Sequence, residues 1–322
     1  MLYNLSARED GGGLFLFGFI LLLIPKFGTR WKLYTLSQVL TFLAVVLLWL
    51  PVYRIYGFNS GFNYVEWIKS TSPNASTDEL QVVAYRDVKA LYYKVEPESL
   101  KPSPSCFFIL LHGGGFTSGN ASHMNTIGSF LASNGIPAFS LDYSLAPKRT
   151  FPIQVQEIDS LLKVIRKNDL FSNFSSKPFI LLGASAGGTI ALNYAHLKPD
   201  PALKMVLNLY GITDTGFIYP ESSRSQANLQ EMADAYRGGV SIDAISPLRN
   251  ASRIHVPIIT FMGNSDAIVP IEQAVFFHEK RHKMKFYNDR LFILPGATHL
   301  FDHPLTGPSG QFLKKNILDL VN

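Results

Sequence analysis

The sequence predicts an α/β domain with a mostly parallel central sheet flanked by helices, preceded by an apolar N-terminal stretch. Three observations carry the prediction. Short apolar runs of strand length recur along the chain, segments with helical spacing of apolar residues separate them, and a glycine-rich turn joins one such strand to the helix after it. At 322 residues the chain has room for one large core and an appendage, since single cores stop growing near roughly 250 to 300 residues.

The appendage comes first. Leu33 to Tyr53 carries no charge, and its length of about 20 residues is what a helix needs to cross a hydrocarbon core of about 30 Å. It reads as a transmembrane helix. Leu14 to Ile24 is equally apolar but short, so it is either a first span or an interfacial segment. Lys26, Arg30 and Lys32 lie between the two without an acidic residue, whereas Arg8 is accompanied by Glu9 and Asp10. By the positive-inside rule that linker is expected in the cytosol, and the chain after Tyr53 on the lumenal or extracellular side. Acceptor triplets for N-glycosylation start at Asn74, Asn120, Asn173 and Asn250, and at Asn4 upstream, in keeping with a glycoprotein of the secretory pathway. We expect residues 1–56 to form a membrane anchor in contact with lipid, and residues 57–322 to form the α/β domain.

Within that domain, Leu80 to Tyr85 and Val88 to Val95 read as an antiparallel hairpin separated by Arg86-Asp87. Phe107 to Leu111, Pro137 to Leu141, Phe179 to Leu182, Lys204 to Leu209, Ile258 to Met262 and Arg290 to Leu294 read as strands buried on both faces. Between and after them, Ala121 to Ser133, Ile153 to Lys167, Ala186 to His196, Ile271 to His282 and Gly310 to Leu320 carry helical spacing, as right-handed crossovers require. Residues 214–245 are polar and interrupt the alternation, and we expect there an insertion that forms part of a lid or cap.

Composition narrows the partners. The chain is 47% hydrophobic and 16% charged, apolar enough to suggest that part of it lives in lipid. Its net charge of +5 is spread along the sequence without a basic stripe, which argues against nucleic acid. Cys106 is the only cysteine, so an intrachain disulfide and a cysteine-based metal site are excluded, and its apolar neighbours make it a core residue. No cofactor or metal is expected.

The chemistry is concentrated in three places. Gly183-Ala184-Ser185-Ala186-Gly187 is a G-x-S-x-G turn directly after one strand and directly before a helix. Glycines two positions either side of the serine let the strained turn close, so that Ser185 presents its hydroxyl as a nucleophile above the helix N-terminus. His112-Gly113-Gly114-Gly115-Phe116 follows an earlier strand, where bare N–H groups of Gly113, Gly114 or Gly115 could join that of Ala186 around an oxyanion. His299, in the loop after the last strand, is expected as general base, with His303 as local rival; Asp266, after the strand Ile258 to Met262, is the expected acid. Asp302 and Asp214 are weaker choices for the acid, and a helix-capping role is the simpler alternative for Asp266 itself.

These motifs resemble the hormone-sensitive-lipase-like branch of the α/β-hydrolases, which includes the arylacetamide and steryl-acetate deacetylases. The likeness runs from about Val82 to the C-terminus. It includes His112 to Phe116, Asp142-Tyr143-Ser144-Leu145-Ala146-Pro147, the turn at Ser185, Ser246-Pro247-Leu248, and the loops at Asp266 and His299. The family pattern has Asp at position 184, Arg at 144 and Glu at 148, where this chain has Ala184, Ser144 and Lys148. The resemblance implies an α/β-hydrolase fold and a serine carboxylesterase or lipase acting on a small apolar ester. It also implies a catalytic domain held at the endoplasmic reticulum membrane on the lumenal side. An amidase or acyltransferase would use the same residues, and a non-catalytic ligand-binding protein is the alternative from another class.

Overall fold

In a computed structural model of the chain, the described residues are 74–82, 88–96, 104–216, 224–303 and 305–321, together with Thr41. The anchor expected over residues 1–56, with its two apolar segments, lies outside them apart from Thr41. Among the described residues no helix is long and apolar enough to cross a membrane.

The expected alternation is present. Among the described residues eight strands form one sheet in the order β1-β2-β4-β3-β5-β6-β7-β8. They are β1 (Thr77–Gln81), β2 (Lys89–Tyr93), β3 (Phe107–Leu111), β4 (Ala138–Asp142), β5 (Phe179–Ala184), β6 (Leu203–Leu209), β7 (Ile258–Gly263) and β8 (Arg290–Leu294). β1 and β2 are antiparallel to each other and β2 is antiparallel to β4, while every pairing from β4 to β8 is parallel. The helices are α1 (Asn125–Ser133), α2 (Ile153–Lys167), α3 (Ala186–Leu197), α4 (Arg224–Arg237), α5 (Ile242–Ile245), α6 (Glu272–Lys283) and α7 (Pro308–Val321).

Sequence accounts for most of this. β3, β5 and β7 are apolar at nearly every position and buried throughout, because helices cover both faces of a parallel sheet. α2 buries Val155, Ile158, Leu161, Leu162 and Ile165, spaced three or four apart on one face, and ends where Asn168 turns extended. α3 is buried from Ala186 to His196, which is why its residues are small or apolar almost all round.

Two expectations need correction. The hairpin does not have the register of a two-residue turn at Arg86-Asp87: Gln81 pairs with Lys89 and the Val82 N–H bonds the Val88 carbonyl, and residues 83–87 lie outside the described residues. Its first strand begins at Thr77 and is mostly exposed, as a sheet edge tolerates polar residues that an apolar-run search passes over. β8 is likewise not buried on both faces. It is the other edge, with Arg290 and Ile293 exposed.

The insertion expected over residues 214–245 contains α4 and α5. Its two ends are tied together: the Leu248 N–H donates to the Thr213 carbonyl at 2.6 Å, and Ser246 Oγ donates to Asp214 Oδ1 at 3.0 Å. Gln273, buried on α6, accepts from the N–H groups of Thr213 and Asp214. α4 is seated on the body through Tyr236, whose ring stacks on Phe116 at 4.2 Å and whose carbonyl accepts from the Phe151 N–H.

Candidate active site

Ser185 sits between β5 and α3 with φ 52° and ψ −119°, a conformation that a side chain adopts only under constraint. The constraint is visible in the glycines around it. A Cβ on Gly183 would stand 2.2 Å from the Gly187 carbonyl oxygen, and one on Gly187 would stand 2.1 Å from that of Leu111 at the end of β3. The G-x-S-x-G spacing is therefore the condition for α3 to start hard against the β3–β5 edge. Ser185 donates its N–H to the Leu209 carbonyl at 2.9 Å, which fastens the turn to β6. Its side chain is largely enclosed, with the residue 7% exposed.

The glycine loop after β3 lies beside this serine. A Cβ on Gly113 would come within 3.2 Å of the Ser185 Cβ and 3.3 Å of the Ala184 carbonyl oxygen, so a side chain there would press on the serine turn. His112 braces the loop from below: its Nδ1 lies 2.7 Å from the Gly113 carbonyl oxygen, and its ring stacks on Tyr143 at 4.1 Å. Tyr143 in turn donates its hydroxyl to the His112 carbonyl at 2.8 Å. Burial lowers the pKa of His112 to about 4, so the ring is neutral, and its Nε2 is buried without a hydrogen-bond partner among the described residues. On the outer side Gly115, at φ +59°, faces Met232 of α4, whose Sδ is 2.4 Å from where a Cβ would stand.

Asp266 and His299, 33 residues apart, come together with Oδ2 of the carboxylate 2.7 Å from Nδ1 of the ring. Both side chains are nearly enclosed, at 1% and 9% exposure. Asp266 also has the local role set against its site role above, since Oδ1 accepts from the N–H groups of Ile268 and Val269. The ring of His299 rests on Tyr210, the residue after Leu209, with centroids 4.5 Å apart. Ser185 and His299 are thus attached to consecutive residues at the end of β6.

The weaker choices are engaged elsewhere. Asp302 is buried and accepts from the Tyr210 hydroxyl, and His303 faces Asp302 at 3.5 Å. Asp214 belongs to the stem of the insertion, with Arg249 beside it. Cys106 is buried. Among the described residues no group of three or more His, Cys, Asp or Glu could hold a metal ion.

Other features were not legible in the sequence. Tyr210, Met232 and Tyr236 take part in the site through contacts between distant segments, and no local motif marks them; Tyr143 lies in the Asp142 to Pro147 stretch, but its bracing of His112 shows only in the contact itself. Ser144 departs from the family pattern, yet its surroundings supply the missing cation. Glu157, fully enclosed, accepts from the Ser144 N–H at 2.8 Å and from its hydroxyl, and Arg149 reaches Ser144 Oγ at 3.0 Å and Glu157 at 3.7 Å. The guanidinium enters from five residues further along and still neutralises the buried carboxylate.

The chain is similar to known proteins along most of this domain. The BD-FAE family matches residues 91–281. Esterase LipC of Mycobacterium tuberculosis is 28% identical over 235 residues, covering 66% of this chain and 57% of the relative. Arylacetamide deacetylase of mouse is 28% identical over 165 residues, 49% of this chain and 40% of the relative. The chain therefore spans only about half the length of these curated relatives. Among solved structures, the esterase from Pyrobaculum calidifontis superposes with a TM-score of 0.62 at 20% identity, covering 80% of this chain and 86% of that one. The metagenomic carboxylesterase EstE1 gives 0.63 at 18% identity, covering 80% and 93%. These likenesses carry the α/β-hydrolase fold, and with the match running from β2 into α6 the chain belongs to the BD-FAE family, with hormone-sensitive-lipase-like α/β-hydrolases among its relatives.

Proposed function

We propose that the chain is a serine hydrolase of carboxylic esters, with a short or medium acyl group on an apolar alcohol, working through an acyl-enzyme on Ser185. The observation that carries this reading is the Asp266–His299 pair, seated on Tyr210 next to the strand end that holds the strained Ser185 turn. The esterase names of the relatives point the same way.

In this mechanism Ser185 Oγ attacks the ester carbonyl carbon as His299 Nε2 takes its proton, and Asp266 keeps Nδ1–H pointed inward and stabilises the imidazolium. The carbonyl oxygen becomes an oxyanion, met by the Ala186 N–H at the start of α3 and by N–H groups among Gly113, Gly114 and Gly115; loss of one such donor typically costs about 3 to 4 kcal/mol of barrier. Collapse expels the alcohol, which leaves with the proton from His299. Water, deprotonated by the same ring, then attacks the acyl-enzyme and releases the acid.

The insertion serves in this reading as a cap, with Met232 over Gly115 and Tyr236 locked on Phe116 at the edge of the oxyanion loop. The apolar segment Leu33 to Tyr53 would hold the mouth of the site at a membrane, where substrates that partition into lipid are concentrated. The catalytic domain would then face the lumen. Resistance of the intact chain to alkaline extraction from membranes, and loss of mass on glycosidase treatment, are the expected results there.

The central test is a panel of esters of graded acyl length, run on the intact protein beside Ser185→Ala, with fluorophosphonate labelling in parallel. Turnover and labelling should both depend on Ser185. A folded wild-type chain that neither hydrolyses any ester nor labels would overturn the reading in favour of a ligand-binding protein.

A further inference from the structure

We infer that Tyr210 is the positioning residue for the His299 imidazole, and that the bond from its hydroxyl to the buried Asp302 sets where that ring stands. The inference rests on His299 being the general base proposed above. Asp266 alone under-determines the ring, because a single hydrogen bond at Nδ1 fixes the tautomer but leaves the plane free to tilt about that contact. A second surface is needed, and the fold supplies one.

Tyr210 leaves β6 with φ 41° and its N–H donating to the Phe261 carbonyl at 2.8 Å, a backbone conformation that turns its side chain away from the regular strand direction. Its ring is fully enclosed and lies against His299 at 4.5 Å and Phe301 at 5.1 Å. The far end is tied down where the hydroxyl donates to the Asp302 carboxylate. Burial, and then the charge of Asp302, raise the phenol pKa well above its ordinary value, so it remains a donor across the working pH range.

The loop is shaped to match. Leu300 adopts φ 64° and its carbonyl accepts from the His303 N–H at 3.0 Å, a tight turn that folds the side chains of residues 299, 301 and 302 onto the one tyrosine. Leu300 itself, 48% exposed, contributes nothing to the core that would justify the turn. Asp302 is 1% exposed, and a carboxylate so enclosed needs a donor, so removing the hydroxyl releases both ends of the brace. The pair is therefore a strut behind the imidazole: sheet to tyrosine ring to histidine on one side, and tyrosine hydroxyl to the histidine's own loop on the other.

The test uses the full chain with Tyr210→Phe, which keeps the ring and removes the strut, and Asp302→Asn, which can still accept from the phenol. Tyr210→Phe should lower kcat roughly 10- to 100-fold with KM within about two-fold of wild type, the signature of a displaced catalytic group rather than a lost binding contact. Asp302→Asn should retain more activity than Tyr210→Phe. Independently of turnover, the far-downfield proton resonance of the His299 Nδ1–H, identified by its absence in His299→Gln, should broaden or shift in Tyr210→Phe. If kcat and the resonance are both unchanged, or if activity falls only with the folded fraction, the strut is refuted. A wild-type chain without ester turnover whose resonance still responds to Tyr210→Phe would sink the esterase reading and leave the strut standing.

Discussion

Asp266 divides its carboxylate between two tasks: Oδ2 meets His299 Nδ1 at 2.7 Å, and Oδ1 accepts from the N–H groups of Ile268 and Val269 at 2.8 and 2.9 Å. An amide in its place has one oxygen for three donors. Two of the donors are fixed backbone groups, so in Asp266→Asn the oxygen should stay with them and the amide nitrogen should face the ring. Nδ1 would then have to accept, which puts the proton on Nε2 and blocks the base. We predict a fall in kcat on the order of 10⁴-fold with little change in thermal stability, read by ester kinetics beside a melting curve. Turnover near wild type would remove Asp266 from the mechanism.

Gly187 offers a prediction about the turn rather than the chemistry. A Cβ there would meet the carbonyl oxygens of Leu111 and His112 at 2.1 and 2.6 Å, backbone atoms at the end of β3 and at the start of the glycine loop. Neither can move without shifting β3 or the glycine loop. Gly187→Ala should cost about 1 to 3 kcal/mol in stability, and the displaced loop should lower kcat as well. A variant that melts and turns over as wild type would show that α3 does not need this close approach.

The backbone of the candidate site was legible because motifs of this kind are local: the glycine spacing around Ser185 and the glycine run after β3 each solve a backbone problem within a few residues. The Asp266–His299 pairing was legible for a topological reason, since adjacent parallel strands bring their C-terminal loops together. What stayed hidden depends on packing across the sequence. Tyr210 reads as an ordinary aromatic at a strand end, and only its contacts with residues 299, 301 and 302 give it a role. Arg149 compensates for Ser144 only because α2 brings Glu157 to both. The edge strands were misjudged where the apolar-run criterion fails: β1 is polar and β8 half-exposed, as positions with one open flank allow.

Arg281 is a buried charge in the body of the fold. It is fully enclosed on α6, donates to Asp289 through Nε and Nη2, and spends its remaining donors on the carbonyls of Ala251, Ile254 and Val256, with Phe286 packed on its face at 4.1 Å. Asp289 in turn accepts from the Ile258 N–H at the start of β7. Arg281→Met should lose about 3 to 5 kcal/mol, because it strands both the carboxylate and the carbonyls, and Lys at this site should recover little since it lacks the fork geometry. Chemical denaturation of the two variants measures this, and a loss under about 1 kcal/mol would contradict it.

Acid should weaken the fold before the carboxylates titrate. Burial depresses His112, His196 and His278 to about 4, with Arg253 adding to the effect at His196. Unfolded, these rings would titrate near about 6.5, so between the two values the unfolded chain binds more protons than the native one. Stability therefore falls as pH drops from about 6.5 towards 4, with each histidine adding a slope of at most about 1.4 kcal/mol per pH unit. His278 is the useful probe because it lies away from Ser185 and its Nε2 makes a 2.8 Å contact with Thr260 Oγ1 that an amide can replace. His278→Gln should melt like wild type at neutral pH and lose less stability on acidification. Parallel stability curves for the two proteins from pH 7 to 4 would mean that charging of this buried imidazole does not drive the loss.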